Sequence, residues 1–126
     1  PLHTAATLGH AEVCVMLLGA HARVDARTRP FGLTPLHLAV TVLHPGAVVR
    51  ALVAGNADVD AKLNFPASIT PLGMAAVGNN AECVEVLLAA QADLHLRTSG
   101  IFGFRATALD IALRYGRSEL AEILGD

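Results

Sequence analysis

The stretch that decides the fold is residues 34–62, TPLHLAVTVLHPGAVVRALVAGNADVDAK. It begins with a Thr that can cap a helix and a Pro at the first helical position, where no N–H is needed. A turn at His44-Pro45-Gly46 separates this first apolar segment from a second one with apolar residues at helical spacing. The stretch therefore predicts a pair of short helices, and neither helix can bury its apolar face without neighbours of the same kind.

The same pattern recurs along the whole chain. Its starting tripeptide returns at steps of 34, 36 and 37 residues as Pro1-Leu2-His3, Pro35-Leu36-His37, Pro71-Leu72-Gly73 and Ala108-Leu109-Asp110. Small Ala and Val side chains dominate each first helix and let neighbouring helices approach closely. We therefore expect an all-α repeat solenoid that forms a single domain over residues 1–126. The expected repeats are approximately 1–33, 34–69, 70–106 and 107–126, with the first and last incomplete.

The words TPLHLA (34–39), GHxEVxxxLL (9–18) and ADVDA (57–61), which recur in variant form, together resemble the ankyrin repeat, whose period is about 33 residues. This resemblance implies an ankyrin-type stack of helix-turn-helix units with β-hairpin fingers projecting roughly at right angles. It also implies a concave surface that in this family usually binds other proteins, and a structural role for the histidine of TPLH within the hairpin region.

The connections between repeats are longer than the family pattern and lengthen along the chain. They span residues 27–33, 62–69 and 97–106, which are seven, eight and ten residues, and they contain every Phe of the chain. The aromatic rings either stack on each other as a small second core or stay exposed as anchors for a partner. We expect Ile101, Phe102 and Phe104 to form a β-hairpin tip, with one ring packed on the finger of Phe65 and at least one apolar group accessible. The candidate partner-binding residues are Arg27, Arg29, Phe31, Phe65, Ile101, Phe102, Phe104 and Arg105.

Composition excludes several classes of protein. The chain has 126 residues, of which 53% are hydrophobic and 16% charged, so it has enough apolar material for a folded core. A net charge of −2 with scattered basic residues argues against a nucleic-acid partner. Every apolar stretch is shorter than the roughly 18 residues of a membrane span. Two cysteines cannot form the disulfide framework of a small secreted domain, which favours an intracellular location, cytoplasmic or nuclear.

Two arrangements could suggest chemistry. His10 and Cys14 are four residues apart on a helix, as a nucleophile and its base could be, but Cys14 occupies an apolar position. His3 and His37 occupy equivalent positions of stacked repeats, about 8–10 Å apart, which is too far for two ligands of one zinc ion. The sequence also lacks a nucleotide-binding or hydrolase motif. We therefore expect no catalytic residue, no metal and no cofactor.

These observations predict a non-catalytic module that binds another protein through its fingers and concave surface. Two alternatives remain open: a regulatory or targeting segment of a larger enzyme, channel or ubiquitin-ligase adaptor, and a purely architectural spacer.

Two further expectations concern the ends and the backbone. The first repeat has only Glu12 as a charge before Arg23, which predicts an apolar flank that a longer array or self-association would cover. The last repeat predicts a polar outer face, because it carries Asp110, Arg114, Arg117, Glu119 and Glu122. The family places Gly after each second helix, where a left-handed conformation is needed, so we expect positive φ at His21, Asn56 and Gln91.

Overall fold

A computed structural model describes residues 2–29, 31–42, 45–63, 69–97 and 107–125. These residues form eight helices: α1 (Leu2–Thr7), α2 (Ala11–Gly19), α3 (Pro35–Ala39), α4 (Gly46–Ala54), α5 (Pro71–Val77), α6 (Ala81–Ala89), α7 (Ala108–Arg114) and α8 (Ser118–Gly125). Odd-numbered helices pack on odd-numbered ones and even on even, so that each helix pair lies on the next. The all-α repeat solenoid expected from the sequence is confirmed.

The first helices start where a threonine caps them. The hydroxyl groups of Thr34, Thr70 and Thr107 accept hydrogen bonds from the backbone N–H three residues further on, at 3.3, 3.1 and 3.2 Å. In α3 and α7 the cap is reciprocal, because the side chains of His37 and Asp110 accept from the N–H of their capping threonine. The local sequence therefore fixes the first residue of each of these helices.

One continuous apolar core runs through the stack. The first helices contribute alanines that are almost fully buried, which lets adjacent helix pairs approach closely. The second helices supply larger side chains, and Leu52, Leu87 and Leu120 are completely inaccessible to solvent. The three buried polar side chains among the described residues, Thr34, His37 and Thr70, all belong to the helix caps.

The turns after the second helices adopt the left-handed conformation that the sequence predicted. His21, Asn56 and Gln91 have φ values of 69°, 67° and 65°. The nearby Gly55 ends α4 with a φ of −84°, so glycine is offset by one residue from the position where it would relieve strain. The prediction of positive φ at all three non-glycine residues is confirmed.

The expected β-hairpins are not seen in the described part of the fingers, which contains no strand. The first finger is closed by two hydrogen bonds of 2.9 Å, from the N–H of Thr28 to the carbonyl of Leu33 and from the N–H of Gly32 to the carbonyl of Thr28. This tight closure leaves too few residues between the partners for a strand ladder. Residues 64–68 and 98–106 lie outside the described residues, so the hairpin tip at 101–104 stays a prediction.

The two ends of the stack differ in part from expectation. The apolar N-terminal flank is present, since Leu8, Val13, Val15 and Met16 are exposed on the first helix pair. The last helix pair does carry exposed charged side chains, but it also exposes Leu113 to 62%. The prediction of a polar outer face is therefore wrong at this position, where an apolar side chain is exposed.

Candidate partner-binding surface

The candidate surface is the row of fingers at one edge of the helical stack. Three of the eight candidate residues lie in the described part of the chain: Arg27, Arg29 and Phe31. The other five, Phe65, Ile101, Phe102, Phe104 and Arg105, lie outside the described residues.

A row of basic side chains ties the bases of the fingers together. The guanidinium of Arg27 donates from Nη1 to the carbonyl of Gly32 in its own finger, at 2.9 Å, and to the carbonyl of Lys62 in the next, at 2.7 Å. Lys62 makes the equivalent contact from the second finger to the third: its Nζ donates to the carbonyl of Arg97 at 3.3 Å. Arg97 in turn lies 3.8 Å from the carboxylate of Asp110 at the start of α7. Arg27 thus positions the fingers as well as contributing charge.

A parallel row of carboxylates joins the same segments through backbone N–H groups. Oδ1 of Asp25 accepts from the N–H of Asp58 at 2.9 Å, and Oδ1 of Asp60 accepts from the N–H of Asp93 at 2.8 Å. Both bonds span 33 residues. This row was not predicted from the sequence, although Asp recurs at the same separation in two consecutive repeats. Together the basic and acidic rows hold the finger bases in a fixed spacing.

Arg29 and Phe31 lie beyond these ties, in the turn of the first finger. Arg29 is exposed, and Phe31 keeps 41% of its surface accessible to solvent. Aromatic and arginine side chains are enriched in binding hot spots. Here both extend from a finger whose base is held by hydrogen bonds to the next finger. The described end of the first finger can therefore offer both to a partner.

His37 is fully engaged inside the fold. Its Nδ1 accepts from the N–H of Thr34 at 3.2 Å, which leaves the proton on Nε2, and this atom donates to the carbonyl of Ile69 at 3.1 Å. Burial lowers the pKa of His37; the charge of Arg27 acts in the same direction, whereas the bond to Ile69 opposes it. His3 makes the equivalent contact, with Nε2 3.1 Å from the carbonyl of Leu33. His3 and His37 therefore connect α1 and α3 to the end of the finger that follows each of them, which agrees with the structural role that the resemblance implied.

The two cysteines are buried in the core. Burial raises the pKa of the Cys14 thiol and raises that of Cys83 to about 12. Thiols of this kind are protonated at neutral pH and behave as small apolar groups. The backbone carbonyl of His10 accepts the Cys14 N–H as part of the helix, while the His10 side chain is exposed.

The described residues offer neither a metal site nor a membrane-spanning helix. Within the five described ranges, no three His, Cys, Asp or Glu side chains come together in a way that could hold a metal ion. Among the helices of that same part of the chain, none combines the length and the apolar character needed to cross a membrane.

Comparisons with known proteins agree with this architecture. A family model described as ankyrin repeats (3 copies) matches residues 1–62 and 44–126. The chain is also similar to the tyrosine-protein kinase Shark of Drosophila melanogaster, with 34% identity over 124 residues. This alignment covers 98% of the chain but only 12% of the kinase, so the chain spans a small part of that relative's length.

Proposed function

The chain belongs to the ankyrin repeat family, and we propose that it is a non-catalytic domain of residues 1–126 that binds another protein. The proposed binding surface consists of the fingers and the adjoining first helices. The observation that carries the proposal is the exposure of Phe31 beside Arg29 on finger bases that inter-repeat hydrogen bonds hold in place. A preorganised surface loses less conformational entropy on binding than a mobile one does.

The proposed contact residues combine the described and the sequence-based candidates. They are Arg27, Arg29, Phe31, Phe65, Ile101, Phe102, Phe104 and Arg105. Phe31 argues against the architectural spacer, because a spacer needs no exposed ring on its finger edge. An intracellular location, cytoplasmic or nuclear, fits a chain whose described cysteines are both unpaired and buried.

A second candidate function is a regulatory or targeting role within a larger polypeptide. It is favoured by the similarity to a tyrosine kinase of which the aligned region is 12%. In that case the same finger surface would bind a partner, or another domain of the same polypeptide, and so direct an activity located elsewhere.

The test is a capture experiment with matched variants. The chain is immobilised, bound proteins are identified by quantitative mass spectrometry, and their amounts are compared for wild type, Arg29→Ala and Phe31→Ser. We expect both variants to lose the same captured protein, since hot-spot truncations cost about 2 kcal/mol or more. Purified partner would then give the dissociation constants.

The control is Glu85→Ala, which changes an exposed side chain on α6, in the second-helix layer. It should retain the captured protein, and all variants should keep the circular dichroism of the wild type. Capture that is insensitive to Arg29 and Phe31 but is lost in Glu85→Ala would place binding on the second helices and contradict the proposal.

A further inference from the structure

The C-terminal ends of the first helices form a row of side chains that stays accessible within the stack. Aligning the four first helices on their leucines gives two equivalent positions in each repeat. These positions hold Thr7 and Leu8, Thr41 and Val42, Val77 and Gly78, and Arg114 and Tyr115. None of the eight residues is buried, although the second and third repeats have a helix pair on either side. A neighbouring repeat is therefore not what covers this row.

In the first three repeats the row is uncharged and largely apolar. Leu8 is 61% exposed, and Val42 and Val77 are half-buried. The hydroxyls of Thr7 and Thr41 donate to backbone carbonyls of α1 and α3, at 2.8 and 2.7 Å. Because each hydroxyl hydrogen is used within the chain, these threonines offer a partner a methyl group and an oxygen that only accepts. These five side chains form the apolar strip of the row.

The last repeat places positive charge at the end of the same row. Arg114 and Tyr115 are exposed, and the guanidinium of Arg117 lies 5.6 Å from the centre of the Tyr115 ring. Arg117 also donates from Nη2 to a backbone carbonyl of the preceding repeat at 3.1 Å, which is a neutral acceptor. Asp110 lies 3.8 Å from Arg97, and these two charges balance. Arg114 and Arg117 therefore give α7 and the turn after it an excess of positive charge.

We propose that this row binds a segment of the partner protein in which apolar side chains are followed by carboxylates. The carboxylates complement the cationic end at Arg114 and Arg117, and the apolar side chains lie on the strip. Packed helices lie about 8–10 Å apart, so the four repeats span about 30 Å, which roughly nine residues of extended chain cover. The inference rests on the proposed function and adds the chemistry of the bound segment and its direction along the stack.

The test selects peptides from a phage-displayed random library on the immobilised chain, with peptides long enough to span the row. We expect the enriched peptides to carry apolar residues and to have Asp or Glu towards one end. A second selection on Arg114→Glu should lose these acidic residues and enrich Lys or Arg in their place. Arg50→Glu reverses another exposed arginine, on α4, and is the matched control that should enrich the same peptides as wild type.

Fluorescence polarisation with a synthetic copy of one enriched peptide then locates the contact. Leu8→Ser and Arg114→Glu should each raise its dissociation constant about fivefold, the scale of one favourable exposed ion pair. A peptide with lysines in place of the carboxylates should bind Arg114→Glu more tightly than wild type. Val15→Ser is the matched control for Leu8→Ser and should bind like wild type, since Val15 is 57% exposed but lies on α2. Circular dichroism establishes that each variant is folded, and Arg114→Gln replaces Arg114→Glu if that variant is not.

Three outcomes would overturn the inference. Failure to enrich any peptide shows that the row is not a binding surface, and enriched peptides without an acidic end show that the charge of Arg114 is not read. Binding that Leu8→Ser and Arg114→Glu leave intact but Phe31→Ser abolishes places the segment on the fingers, so the proposed function stands while this inference fails. The capture experiment with Arg29→Ala and Phe31→Ser tests the proposed function separately, because neither residue belongs to the row.

Discussion

The Nη1 atom of Arg27 donates a 2.7 Å hydrogen bond to the backbone carbonyl of Lys62, across 35 residues of sequence. The same group also donates to the carbonyl of Gly32 within its own finger. A single guanidinium therefore adds a bond within the first finger and connects that finger to the second. Arg29, two residues further on, is exposed as Arg27 is, but of the two only Arg27 makes hydrogen bonds of this kind within the described residues.

This difference predicts that two alanine variants differ in stability. Arg27→Ala should lower the free energy of unfolding by about 1 kcal/mol, because it removes hydrogen bonds from a partly solvated site. Arg29→Ala should leave stability unchanged within the error of the measurement. Urea unfolding followed by circular dichroism compares the two, and equal stabilities would show that the bond between the fingers contributes nothing measurable.

His37 predicts a pH dependence of stability. Its pKa in the folded chain lies below the ordinary value of 6.5, so the unfolded chain binds the proton more readily as the pH falls. The stabilising contribution is complete above pH 6.5 and is lost as the pH falls through the lower pKa of the folded state. Protonation would also place a hydrogen on Nδ1, which accepts from the N–H of Thr34.

The measurement compares wild type with His37→Asn, whose amide oxygen can still accept from Thr34 but does not titrate. We expect wild type to be the more stable protein at about pH 7.5 and the difference to shrink towards about pH 5. The other histidines are common to both proteins and cancel in the comparison. A difference that stays constant with pH would show that His37 is not the titrating group.

Gln91 predicts a stabilising substitution. Its φ of 65° is costly for a residue with a Cβ, whereas Asn56, at 67°, is of a type that tolerates this region better. Gln91→Gly should raise the free energy of unfolding by about 1 kcal/mol, and Asn56→Gly by less. Ala90→Gly is the control, since Ala90 has a φ of −86° and should lose stability from the same change. A gain in Ala90→Gly as large as that in Gln91→Gly would contradict the explanation by backbone strain.

Local sequence patterns were enough to predict the helices and their caps. Thr34, Thr70 and Thr107 begin helices because the cap involves only residues three positions apart. Positive φ at Gln91 followed from the resemblance, because the family places Gly at this position after each second helix. The exposure of Leu113 did not follow, because a leucine on an alanine-rich helix looks like core until the neighbouring helix pairs are in place. The hydrogen bonds of Asp25 and Arg27 to neighbouring repeats could not be predicted either, since their partners are backbone groups 33 and 35 residues away.

The third finger is the place for the sharpest test of partner binding. Its ten residues connect two fixed points, since the carbonyl of Arg97 accepts from Lys62 and Thr107 caps α7. It contains two of the four phenylalanines, and the described ring of the first finger, Phe31, is 41% exposed.

We expect Phe102→Ala and Phe104→Ala, made separately, to leave the melting temperature unchanged in at least one case. That same variant should weaken capture of the partner by about 2 kcal/mol, because an accessible ring contributes to the complex and little to the fold. Glu85→Ala, an exposed residue on the second helix α6, is the control and should change neither quantity. Early melting of both phenylalanine variants with unaltered capture would mean that the rings form a second core between the fingers.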